Sequence, residues 1–155
     1  MRLISTAMNA IYPVLALAAG AALATQVALN GKLKYHLGKP MQATLISLAV
    51  GTVAALAICL IGRYSWPDRA SLAVTPWWAW CGGLLGVIYL WAAVVVAPRL
   101  GIAPTFGLIV AGQIVTAKVI DHFGLLDVPV DPITGWKLLG VGLVIAGVAV
   151  LGSAK

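Results

Sequence analysis

The stretch AGQIVTAKVIDHFG, residues 111–124, decides how the rest of the chain is read. It closes a run from 100 to 117 that holds no Asp, Glu, Lys or Arg, and then places Lys118, Asp121 and His122 within two turns. A segment that apolar, ending in charges and a glycine, is expected to be a helix crossing a bilayer and emerging into water at Gly124.

The same grammar repeats along all 155 residues, of which 62% are hydrophobic and only 9% charged, with a mean hydropathy of +1.04. Soluble domains carry about a quarter charged residues, so a water-soluble fold is excluded. Residues 3–31, 40–62, 70–98, 100–117 and 138–154 are free of charge. A hydrocarbon core of roughly 30 Å takes about 17–25 helical residues, so five runs predict five spanning helices. The expected spans are 8–30, 41–61, 77–97, 104–123 and 135–152. A barrel would alternate polar and apolar residues, and these runs do not.

The joins carry turn chemistry: LGKP at 37–40, RYSWPDR at 63–69, APRLG at 97–101 and DVPVDP at 127–132. None is long enough to fold by itself, so residues 1–155 are expected to form a single transmembrane domain. The apolar stretch after Arg2 runs on to Leu29, longer than the core of a secretion signal, and reads as a retained first helix. Cys59 and Cys81 are isolated and read as free buried thiols. The net charge of +6 is scattered along the membrane borders and suits anionic lipid head groups better than nucleic acid.

Helices in lipid associate through small residues and interhelical hydrogen bonds. The candidate contact surfaces are LALAAGAALAT in the first helix, the Gly82–Gly86 pair, and Gly140, Gly142 and Gly147 in the last. Trp66, Trp77, Trp78, Trp80 and Trp136 are expected to anchor at the interfaces.

The polar residues inside the spans need a reason, since a charged or amide side chain in lipid costs on the order of 2–3 kcal/mol. With Gln113 at zero, Asp121 falls near about 80° and Lys118 near about 140° on the fourth helix, a shared stripe that ends at His122. Gly107 and Ala117 fall in the same sector and leave room for another group. On the first helix Gln26 and Asn30 are one turn apart, with Tyr12 on the same face; Tyr12 and Trp91 are possible cavity-lining residues. Each also has a structural reading: the amides as interhelical glue, Lys118 and Asp121 as an i,i+3 pair, His122 as an interfacial residue. There is no Glu, no nucleophile motif, no phosphate loop and no Cys- or His-rich ligand set. Neither an enzyme, a metal site nor a cofactor is expected.

The elements Q...N..L at 26–33, GGLLG at 82–86, APRLG at 97–101, GQ at 112–113 and IDHFG at 120–124 resemble the drug/metabolite transporter superfamily, most closely its half-length, five-helix YdcZ-like branch. The last helix also looks like the dimer-forming last helix of small multidrug resistance proteins. The resemblance implies a bacterial inner-membrane transporter in which two five-helix units, identical or paralogous, pair in opposite orientations. It further implies alternating access to a central cavity, often proton-coupled, for a small polar metabolite or drug-like substrate. Gln26, Asn30, Gln113, Asp121 and His122 carry over as substrate-binding or gating residues; Lys118 joins them from its position alone. Movement of a lipid-linked head group, or a non-transporting scaffold, is the alternative. The chain departs from the multidrug pumps in lacking their first-helix glutamate, which puts export of lipophilic cations by that device in doubt.

Overall fold

The computed structural model describes the backbone of residues 2–153 and the side chains of residues 11–153. The elements are α1 (Arg2–Leu37), α2 (Pro40–Ile61), the short α3 (Arg69–Val74), a 3-10 turn (Trp77–Trp80) running into α4 (Cys81–Leu100), α5 (Ile102–Phe123), a 3-10 turn (Leu125–Asp127) and α6 (Gly135–Ser153). No strand occurs among the described residues. Five stretches are long and apolar enough to cross a membrane: Ile11–Leu37, Pro40–Ile61, Trp77–Leu100, Ile102–Phe123 and Gly135–Ser153.

The spans match the expected order, and several ends move: the first helix already begins at Arg2 rather than residue 8. The first helix continues from the expected stop at Asn30 to Leu37. Nothing in GKLKYHL breaks a helix, because lysines near a helix C-terminus complement its dipole. The chain turns only at Gly38, with φ +84°, before Lys39 and Pro40. Lys39 is extended, as a residue preceding proline prefers, and Pro40 opens α2 where no N–H is needed. Likewise α4 runs through Pro98 to Leu100 rather than ending at Ala97. It stops at Gly101, whose φ of +93° makes a join of one residue between α4 and α5.

Helix α3 was not expected from the RYSWPDR join. Asp68 caps it, accepting a hydrogen bond from the Ser71 amide at 2.8 Å. This bond holds the Asp68 carboxyl below its ordinary range.

The contacts divide the chain into two compact units, Met1–Val95 and Val96–Lys155. In the first, α1 packs on α2, with Val27 and Asn30 buried on α1 and Ala43 and Thr44 on α2. Leu90, Ala93 and Val94 form the buried face of α4. Thr44 spends its hydroxyl on the Pro40 carbonyl at 3.0 Å, so its burial leaves no donor unmet.

In the second unit α5 packs on α6. Gly107 makes the approach possible: a β-carbon there would lie 2.9 Å from Cγ2 of Val148, which is 9% exposed. The room that Gly107 leaves on α5 is therefore filled by an apolar side chain of α6. At the other candidate contact glycines, Gly82 and Gly86 on α4 and Gly140, Gly142 and Gly147 on α6, a β-carbon would meet nothing within 4 Å beyond its chain neighbours and its own helix. Cys59 and Cys81 are free and half-buried.

Candidate functional site

The polar end of α5 is built by its turn. Gly124 caps the helix in the left-handed region, φ +60°, and donates to the Ile120 carbonyl. Leu126 and Asp127 also take positive φ, +59° and +61°, so the chain reverses within a few residues. The reversal brings Asp131 back beneath the helix end, where its amide donates to the Asp121 carbonyl at 2.7 Å. Two residues on, the Ile133 amide donates to Nδ1 of His122 at 3.2 Å. Thr134 then starts α6, its carbonyl and hydroxyl receiving the Leu138 and Lys137 amides.

Four charges close over this turn. Lys118 Nζ lies 2.7 Å from Asp121 and 3.2 Å from Asp131, while Lys137 pairs with Asp131 and donates to the Pro132 carbonyl at 2.9 Å. The expected i,i+3 pair of Lys118 and Asp121 is thus present. The residues that sequence reasoning missed are Asp131, inside the DVPVDP join, and Lys137, one of the basic residues scattered along the membrane borders. A signal for them existed: the chain has only four acids, and three of them, Asp121, Asp127 and Asp131, lie between the two lysines. The Lys137 and Lys118 ammonium groups hold the Asp131 carboxyl below its ordinary range.

The arrangement fixes what His122 does chemically. Accepting at Nδ1 requires an unprotonated nitrogen there, so the neutral ring carries its proton on Nε2. Its side chain is half-buried and stands edge-on to Phe123.

Gln113, at the other end of the expected stripe, is exposed on the chain and makes no side-chain hydrogen bond among the described residues. The structure therefore gathers Lys118, Asp121 and His122 around the α5–α6 turn and leaves Gln113 outside the cluster.

On α1, Gln26 is half-buried and Asn30 is 4% exposed. The Asn30 Nδ2 has no partner among the described residues. The Tyr89 hydroxyl of α4 is the second buried polar atom in that condition. Tyr12 and Trp91 are exposed on the chain. No three His, Cys, Asp or Glu side chains approach one another closely enough to hold a metal ion among the described residues.

Against known families, residues 11–150 match the model described as "Putative inner membrane exporter, YdcZ". The chain belongs to the YdcZ family. The match covers all five spans, from the described part of α1 to the last turns of α6. No curated protein and no solved structure matches the chain. Family and fold together make this YdcZ-family chain a multi-pass inner-membrane protein and a membrane transporter.

Proposed function

We propose that this YdcZ-family transporter moves a small polar metabolite or drug-like molecule by alternating access, working as an antiparallel pair of identical chains. The observation that carries the reading is Asn30, an amide buried in a membrane helix with its donor unspent. Such a group is costly in a resting scaffold and useful where a polar solute passes. Gln26 flanks it one turn away, and Gln113, exposed on the single chain, would complete the polar lining from a second copy.

The pairing is supported by the glycines. Gly82, Gly86, Gly140, Gly142 and Gly147 leave flat surfaces that no side chain of their own unit fills. Small-residue faces of this kind let membrane helices approach closely. Inverted repeats around a midplane site are a common plan for transporters.

Asp121, paired with Lys118, is the proposed gating or proton-coupling group, with His122 beside it. The test is uptake into sealed vesicles containing the purified chain alone. Gln113→Ala is expected to abolish uptake with the protein still folded and dimeric. Asp121→Asn is expected to break the link between uptake and a pH gradient. Vesicles in which the purified chain moves no solute would leave the scaffold reading in its place, and an Asp121→Asn protein that still concentrates solute against the gradient would remove Asp121 from the coupling.

A further inference from the structure

Gln26, Asn30 and Lys34 recur every four residues along α1, and side chains at that interval share one face of a helix. Their burial agrees: Asn30 is buried, and Gln26 and Lys34 are half-buried. Val27, 1% exposed, marks the same side as the inward one. Lys34 makes no ion pair among the described residues. Its neighbour Lys32 points elsewhere, lying 5.2 Å from the centroid of the exposed Tyr35 ring.

The charges of the first unit are nearly all of one sign. The chain has four acids, and only Asp68 falls in the first unit, where it is spent on capping α3. Among the described residues the two buried polar atoms without partners, Asn30 Nδ2 and the Tyr89 hydroxyl, can each donate a hydrogen bond, and both belong to this unit. Within this unit a cation meets no carboxylate other than the spent Asp68. An anion meets the Lys34 ammonium and the unspent Asn30 donor, and charge-assisted hydrogen bonds are the strong ones. Side chains on a helix lean toward its N-terminus, which turns the Lys34 stem back toward Asn30, one turn away.

We infer that Gln26, Asn30 and Lys34 form a binding stripe for a small organic anion, with its carboxylate held between the Lys34 ammonium and the Asn30 amide. The assignment rests on the reading of α1 as part of the transport site, and it adds the sign of the substrate and a residue, Lys34. A lysine that merely complements the helix dipole, beside an asparagine that merely packs, would not discriminate between ligands by charge.

The test measures binding apart from transport. The purified full chain in detergent is titrated with benzoate, benzamide and benzylammonium, matched in size and different in charge, and with lactate and glutarate; thermal stabilisation is the readout. At least one carboxylate is expected to stabilise the protein saturably, with benzylammonium without effect. Lys34→Gln is expected to weaken that carboxylate roughly tenfold or more, with Lys34→Arg retaining it and Lys32→Gln unchanged. Stabilisation by benzylammonium alone, by no carboxylate, or equally in wild type and Lys34→Gln overturns the assignment. An anion that binds through Lys34 but never enters vesicles sinks the transport reading and leaves the stripe. Uptake of a cation without carboxylate binding does the reverse.

Discussion

The Ile133 amide donates to Nδ1 of His122, joining the last turn of α5 to the residue before the cap of α6. That bond makes the imidazole a clasp on the loop. Removing it in His122→Ala leaves a partly buried amide without its acceptor, at a cost of about 1 kcal/mol. Hydrogen exchange is the direct measurement: the Ile133 amide is expected to exchange faster in the variant while amides of α2 keep their rates. Unchanged protection at Ile133 would mean that the neighbouring ion pairs hold the loop alone.

Asp131 ties the same loop to both helices and carries a pH dependence of known sign. Its folded carboxyl titrates below the ordinary value because Lys137, then Lys118, stabilise the charged form. The stabilisation is therefore complete above the ordinary carboxylate value of about 3.9 and is lost as pH falls through the lower folded value. In Asp131→Asn the loop is expected to be less protected at neutral pH and to show no further change over that acid window. Limited proteolysis between residues 124 and 134, followed against pH for both proteins, checks it. Parallel pH profiles would show that another acid carries the effect.

Gly107 and Val148 meet too closely for a β-carbon between them. Gly107→Ala is expected to push α6 from α5 and cost about 1–3 kcal/mol, as overpacking does. Val148→Ala removes the obstructing methyls, so the double variant is expected to recover much of the loss. Thermal unfolding in detergent of the four proteins forms the cycle; strict additivity would show that the contact is not the cause.

Orientation follows from the charges at the helix ends. Were all five spans to cross, Arg2, Arg63, Arg69 and Lys137 would share one side and Lys32, Lys34, Lys39, Arg99 and Lys155 the other; the Arg2 side chain and Lys155 lie outside the described residues. Lys118, drawn to the α5–α6 turn by Asp121 and Asp131, adds a fifth to the first side. An excess of Lys and Arg normally fixes the cytoplasmic side, and here there is none. Reporters fused to the C-terminus are expected to appear on both sides, and two or three added lysines in one loop to force one orientation and reduce activity. One fixed orientation with full activity of the unmodified chain would end the antiparallel homodimer proposal.

The spans were legible because lipid demands long apolar helices, and a span's length is written directly in its sequence. Their ends were less so: α1 outruns Asn30 because lysines at a helix C-terminus are favourable rather than disruptive. The Lys118–Asp121 pair was legible from helical spacing, which is local. Asp131 was not, since its place beneath Asp121 depends on three choices of positive φ within four residues, at Gly124, Leu126 and Asp127, and a leucine rarely makes that choice. Nor did sequence tell that Gly107 faces Val148 rather than a polar group, because helical angles give a sector and not its occupant.

The joins at Gly38–Lys39 and at Gly101 are shorter than any protease needs to thread a chain into its cleft, whereas the segments around 62–76 and 124–134 are ample. Five crossings put both short joins on one side of the bilayer and both long segments on the other. A protease sealed outside vesicles therefore cuts only copies that present the long side outward. The fraction of chain cleaved, against the fraction cleaved after the membrane is dissolved, counts the orientations with no tag attached.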